Sequence, residues 1–278
     1  MSFKDLLVAV DAESHSPARV GLAVRLAAAH GAHLTALYVQ IPTRVPEYVR
    51  AQIPMEVFAL QEKHLQEEAR RVEADVRKVA TAAGIAFEWR AATGDLVQMT
   101  ALHTRYSDLA IVGQTADEAT LDRAAYARLA EDLALGSGRP VLVVPRYGTF
   151  STVGERAIIA WNGSREATRA VNDALPLLQR AKRVTVLVIN PAAGGSGALP
   201  GADIALHLSR HGVRCEAATT QAADDIAIGD ILLSRAADLG ADLIVMGAYG
   251  HSRTREMVLG GVTRHLIKHM TVPVLMSH

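Results

Sequence analysis

Cysteine is almost missing from this chain: among 278 residues Cys215 is the sole thiol. One thiol can neither close an internal disulfide nor supply a cysteine-based zinc site, and such a composition fits a reducing compartment. An excess of either charge is missing too, with Lys+Arg and Asp+Glu both at 29. No overall field therefore draws in a polyanion such as DNA or holds the chain on an anionic bilayer, and neither nucleic acid nor membrane is an expected partner. Long apolar runs are also lacking, since none approaches the roughly 18 residues of a spanning helix. The start, "MSFKDLLVAV", sets Lys4 and Asp5 directly before a short strand, unlike a signal peptide, and a cytoplasmic location is expected. What is present is 50% hydrophobic and 21% charged residues, the balance of a globular protein with one large domain or two ordinary ones.

The chain repeats itself. "LLVAVDAESHSPARVGLAVRLAAAHGAHLTALYV" (6–39) shares its pattern with "AIIAWNGSREATRAVNDALPLLQRAKRVTVLVI" (157–189), "SDLAIVG" (107–113) with "ADLIVMG" (241–247), and "RPVLVVP" (139–145) with "VPVLMSH" (272–278). The seam is "RYGTFSTVGE" (146–155), which divides the chain into domains at 1–148 and 154–278. Short β-branched runs alternate with helical patterns in each half, the mark of βαβ units building a parallel sheet covered on both faces. Strands are expected at 5–10, 33–39, 86–90, 108–113 and 140–145, then at 156–161, 184–189, 213–217, 242–247 and 273–277. A long helix with a charged outer face is expected over 54–84; its counterpart, "ADIALHLSRHG", is much shorter.

The stretch "MGAYGHSRTREMVLGGVTRH" (246–265) delivers Met246 and Gly247 to the carboxyl edge of a strand, where open parallel sheets bind ligands. Without a Cβ, Gly247 and Gly250 can take positive φ and let something bulky lie on the main chain. Gly260 and Gly261 then open a helix whose first N–H groups lack intrahelical partners and carry the positive end of the macrodipole, a setting that attracts phosphate.

This spacing, Gly, two residues, Gly, nine residues, Gly, resembles that of the nucleotide-binding universal stress proteins, with Gly261 where the family carries Ser or Thr. The "VPVLM" ending follows at the family's usual distance, and the repeat covers nearly the whole chain, so the sequence is identified as a tandem member. The resemblance implies an α/β fold of two tandem Rossmann-like (adenine nucleotide alpha hydrolase-like) domains, each a five-stranded parallel sheet with helices on both faces. It implies ATP, ADP or AMP, with or without Mg2+, as the ligand. Adenine would lie near Ala160 and Asn162 and beside Ile189; ribose and phosphates would lie on Gly247, Gly250, His251, Gly260, Gly261 and Val262. Thr263 is a candidate for the missing hydroxyl, and Asn162 keeps an acceptor where many relatives carry Asp. A histidine at 251, facing phosphate, would make affinity rise as pH falls toward 6.

The first half departs further. Asp11 stands at the end of its first strand, but Ala116 and Ala127 replace the second and third glycines, and Asp117 and Glu118 would face a phosphate. That half is expected to have lost its nucleotide site. Family members pair through their final strands, so the expected unit is an intramolecular pseudo-dimer, with a further homodimer open.

Other signals point to structure. "AAGGSGALPGAD" (192–203) lacks both the G-x-G-x-x-G and the P-loop spacing and reads as a loop, with a lid as the alternative. His207/His211 and His265/His269 have the four-residue spacing of metal pairs but no adjacent Glu, and read as surface histidines. Asp95 and Asp230 are expected as helix N-caps, and "GSG" (136–138) as a helix C-terminal cap. No H-x-G-H or S-G-G-x-D-S stretch provides for adenylyl transfer, and no catalytic set for phosphoryl transfer is evident. The expected function is a stress-response binding module whose conformation or partner choice depends on an adenine nucleotide in the second half. A scaffold that binds no nucleotide and a slow ATPase are the alternatives.

Overall fold

The computed structural model describes residues 2–42, 48, 52–114, 128–191, 200–223, 226–248 and 261–278. In the first repeat these form β1 (Asp5–Val10), α1 (Ser16–His30), β2 (His33–Gln40), α2 (Met55–Ala82), β3 (Phe87–Thr93), α3 (Leu96–Thr104), β4 (Leu109–Gly113), α4 (Leu129–Gly136) and β5 (Val141–Val144). The second repeat supplies β6 (Arg156–Ala160), α5 (Arg165–Leu178), β7 (Arg183–Ile189), α6 (Ala202–Arg210), β8 (Cys215–Thr220), α7 (Ile228–Asp238), β9 (Leu243–Gly247), α8 (Gly261–His269) and β10 (Val274–Ser277). All ten expected strands are present. The largest boundary errors are at the ends of β3 and β8, which each run three residues past the expected end, to Thr93 and Thr220; in β8 the added residues are the half-buried Ala218 and Thr220 and the exposed Thr219.

Each repeat is a parallel sheet, and the two join edge to edge in the order β3-β2-β1-β4-β5-β10-β9-β6-β7-β8. The joint is antiparallel, with Val143, Leu142 and Val141 opposite Val274, Leu275 and Met276. All six are completely buried. Leu142 and Leu275 belong to the core under α1, α2 and α5, whereas Val141, Val143, Val274 and Met276 belong to the core under α3, α4, α7 and α8. Strands covered on both faces need continuous apolar runs, and "VLVV" and "VLMS" supply them. The pseudo-dimer is therefore one continuous sheet with two cores that run through both repeats.

One further side chain ties the halves. The Gln114 amide donates to the carbonyls of Ile267 at 2.8 Å and Lys268 at 3.0 Å in the last turn of α8, and accepts from the Arg146 amide at 2.9 Å. The seam is also held at its far end: Asp242 accepts the amides of Gly154, Glu155 and Arg156 at 3.1, 3.2 and 2.9 Å. Asp108 repeats the device in the first half, receiving Lys4 and Asp5 at 2.7 and 3.1 Å.

Helix ends follow local chemistry. Asp95 accepts from the Gln98 amide at 3.0 Å and caps α3 as expected, and Gly138 takes the left-handed conformation, φ 72°, just past α4. Asp230 is a correction. Helix α7 starts two residues earlier, at Ile228, so Asp230 lies inside its first turn, and its carboxylate bonds Nε2 of His265 at 2.7 Å instead of capping the helix. Among the described helices none is long and apolar enough to cross a membrane.

Candidate functional site

At the carboxyl edge of the second repeat, β6 ends at Ala160, which lies between Leu187 of β7 and Met246 of β9. Ala160, Ile189 and Val262 are partly buried and pack on the cluster that includes Leu187, Met246 and Ala248. That core extends through both repeats, and Ala160 meets it at the sheet edge while Val262 meets it at the start of α8. Helix α8 opens at the exposed Gly261, where a Cβ would meet nothing within 4 Å. Thr263 is 3% exposed and lies on the inward stripe of α8 with Leu266 and Ile267. Gly250, His251 and Gly260 fall outside the described residues.

Asn162 is exposed, and its Oδ1 accepts the amide of Ser164 at 3.0 Å. The same turn occurs in the first repeat, where Asp11 Oδ1 accepts the amide of Glu13 at 3.0 Å. Either residue type can close such a turn, so the acceptor at this position has a local structural use in both repeats.

Gly247 requires a correction of reason. It lacks a positive φ, and the space beside it is not open: a Cβ there would lie 2.5 Å from the Ala167 nitrogen and 2.6 Å from the Glu166 carbonyl carbon. Its bareness admits the first turn of α5, where Ser164 caps the Ala167 amide at 3.1 Å. The approach also brings in Glu166, whose side chain is 13% exposed. Burial works against that carboxylate's charge, but its own amide, the Ser164 hydroxyl, Arg165 and His278 outweigh it and hold the pKa below the usual value. A fixed negative charge therefore stands on the α5 side of this edge.

The first repeat fills the equivalent place with side chains. Register pairs Leu6 with Leu109 as it pairs Ala157 with Leu243, so Asp11 corresponds to Asn162, Gly113 to Gly247 and Arg19 to Ala170. Arg19 is 3% exposed, with its Nη2 2.7 Å from Asp11 Oδ2 and 3.1 Å from Ser16 Oγ. Its Nη1 lies 2.2 Å from where a Cβ on Gly113 would stand. Beside it His15 is held below its ordinary pKa by burial and by the Arg19 charge. The remaining cavity of about 40 Å³ is lined by Asp11, His15, Arg19, Val39, Leu96 and Leu129, among others. Ligand sites ordinarily need about 300 Å³ or more, so this space is too small for one, but a second cavity of about 360 Å³ opens beside it between Asp11, Glu13 and Ser16 and the Arg71 and Asp75 side of α2. The expected cause of a lost site, substitution at Ala116, Asp117, Glu118 and Ala127, lies outside the described residues. Arg19 was overlooked because a single arginine in an amphipathic helix looks like an exposed one; aligning it with Ala170 is the signal that marks it.

The histidine pairs lie at ring distances of 4.6 Å in both His207/His211 and His265/His269. No group of three or more metal-ligating residues occurs among the described residues.

This geometry agrees with the comparisons with known proteins. Among proteins with curated descriptions none matches the chain. A universal stress protein from Archaeoglobus fulgidus superposes on 98% of this chain and 95% of its own, with a TM-score of 0.77 and 17% identity. A protein from Pseudomonas aeruginosa described as a putative universal stress protein covers 99% and 93%, with a TM-score of 0.56 and 15% identity. These likenesses are to the two-repeat fold. A second Archaeoglobus fulgidus universal stress protein, solved in complex with dAMP, matches 51% of the chain and 98% of its own at a TM-score of 0.35 and 15% identity, too little to carry a ligand across. The sequence model of the universal stress protein family matches twice, at residues 2–145 and 155–278. The chain is therefore a tandem member of the universal stress protein family.

Proposed function

We propose that the second repeat binds ATP or another adenine nucleotide at its carboxyl edge, and that occupancy sets the conformation or partner choice of a stress-response module. The reading rests on one observation: the partly buried Ala160 ends β6 beside Met246 at the carboxyl edge, and α8 of the same repeat starts at the exposed Gly261. An adenine ring needs an apolar surface, and a phosphate needs uncovered N–H groups at a helix start, where a good contact is worth up to about 2 kcal/mol. Gly250, His251 and Gly260 would complete the phosphate side, and Gly261 contributes its N–H without a hydroxyl. Isothermal titration with ATP is the test. The parent should saturate, and Gly250→Asp with Gly260→Asp should weaken binding on the order of 100-fold or more, since each 1.4 kcal/mol of lost interaction is tenfold. Unchanged affinity in that variant overturns the assignment.

The packing of Gly247 against α5 favours a second reading, a scaffold that binds no nucleotide, because one of the three signature glycines is required by the fold. Adenine nucleotide recovered from freshly purified, denatured protein argues against the scaffold. A slow ATPase is distinguished by phosphate release above that of the glycine double variant.

A further inference from the structure

We propose that the cavity at the joint of the two repeats, beneath the linker, is a binding site for a phosphate group, free or carried by a small monoester. The cavity measures about 270 Å³ and is walled by the second half of α1, the end of α5 and residues 150–155 of the linker. It lies where the repeats meet as equivalents. In the register that aligns Arg19 with Ala170, Leu26 corresponds to Leu177 and Ala29 to Arg180, and all four line it. The linker is a wall that two separate repeats would lack, so the site belongs to the tandem arrangement. It also faces the end of α1 remote from Asp11, away from the carboxyl edge of the first sheet.

The walls supply donors and little to receive them. Arg25 and Arg180 bring two guanidinium groups. Arg25 Nη2 donates to the Phe150 carbonyl and so ties α1 to the linker, whereas the Arg180 side chain makes no hydrogen bond or ion pair among the described residues. Ser151 and Thr152 add hydroxyls, and their amides, with that of Val153, donate to no described group. The single carboxylate in the wall, Glu155, is held by Lys182 Nζ at 2.6 Å, which offsets its charge. His30 registers the imbalance: after burial, the Arg180 charge and the chain's amino terminus hold its pKa at about 4. Leu22, Leu26 and Leu177 are buried and give the cavity an apolar floor, beside which charges are screened less than in open water. A cleft lined by one sign of charge concentrates counter-ions, and planar guanidinium groups meet phosphate oxygens with paired hydrogen bonds. The volume, just under the range of about 300–1,000 Å³ that drug-sized ligands fill, suits a phosphate or a small phosphomonoester.

The test uses the full chain carrying Gly250→Asp and Gly260→Asp, so that phosphate held at the edge of the second repeat does not contribute and the result is independent of the proposed nucleotide site. Ionic strength is kept constant with chloride. The His30 ring signals, assigned by their loss in His30→Gln, are followed by NMR as inorganic phosphate is added, and in parallel series as glycerol phosphate or succinate is added. The expected result is a saturable shift with either phosphate probe. Arg180→Ala should weaken it at least about tenfold, as expected for the loss of a charge-assisted hydrogen bond, and Arg180→Lys should restore part of the loss. Arg180 is exposed and unbonded, so its removal should leave thermal unfolding unchanged without phosphate, while phosphate should raise the unfolding temperature of the parent and not of Arg180→Ala. Tighter binding of glycerol phosphate than of inorganic phosphate identifies a monoester as the ligand, and the reverse identifies the free ion; each supports the site. No saturation with either probe, or equal affinity in Arg180→Ala and its parent, overturns the proposal. Tighter saturation by succinate than by both phosphate probes overturns the assignment of the ligand as a phosphate.

Discussion

A methyl group on Gly247 would stand 2.5 Å from the backbone nitrogen of Ala167, the third residue of α5. Backbone cannot move aside as a flexible side chain can, so Gly247→Ala should cost about 2–4 kcal/mol, at or above the usual range for overpacking. Gly261→Ala should do the opposite. Nothing lies within 4 Å of the added methyl, the residue opens a helix, and alanine there should be neutral or stabilising by about 0.5 kcal/mol while leaving its N–H in place. Urea denaturation of the two variants checks the contrast; equal destabilisation contradicts it.

Asp242 holds three amides at the entry to β6, and Asp108 holds two at the entry to β1. Hydrogen bonds to a charged acceptor contribute about 1.5–3 kcal/mol against fully removed partners, less where water can replace the acceptor. Asp242→Ala should therefore lower stability by about 2–3 kcal/mol, and Asp108→Ala by less. Chemical denaturation of each variant against the parent measures both; a larger loss at Asp108 would contradict the symmetry of the device.

His30 makes stability depend on acidity. Burial first, then the Arg180 charge and the chain's amino terminus, push its pKa from 6.5 to about 4. Below 6.5 the unfolded chain takes up a proton that the folded chain refuses until about pH 4, so this contribution is complete above 6.5, declines between the two values and is level below them. The shift corresponds to about 3 kcal/mol across that window. Denaturation at pH 7 and pH 5 should show a loss in the parent that His30→Gln reduces. A residual slope is expected from His15 and His103, which burial also lowers; an unchanged slope in the variant contradicts the assignment.

The fold was largely legible in the residues because its signals are periodic and duplicated. Buried parallel strands such as "AIIA" and "LIVMG" require unbroken apolar runs, and finding each twice fixed the plan. The internal pairing of β5 with β10 was readable only through the family resemblance, because two fully apolar strands do not declare which neighbour they choose. The site was less legible. Ala160 and Met246 pair in register at the ends of β6 and β9, and Ile189 and Val262 pack on the same core, since strand ends follow from element order. The open space expected beside Gly247 is filled by the first turn of α5, because a glycine's empty side can be occupied by a ligand or by a neighbouring element. Asp230 illustrates the same limit at a helix start, where a shift of two residues turns a cap into a partner for His265. Arg19 and Asp11 meet across a turn whose geometry no periodicity specifies.

The most direct measurement is native mass spectrometry of the intact chain in excess Mg·ATP. The account predicts one nucleotide per chain in the parent and none in the Gly250→Asp, Gly260→Asp variant. A parent that carries no nucleotide, or a variant that carries as much as the parent, would contradict the assignment of the site to the second repeat.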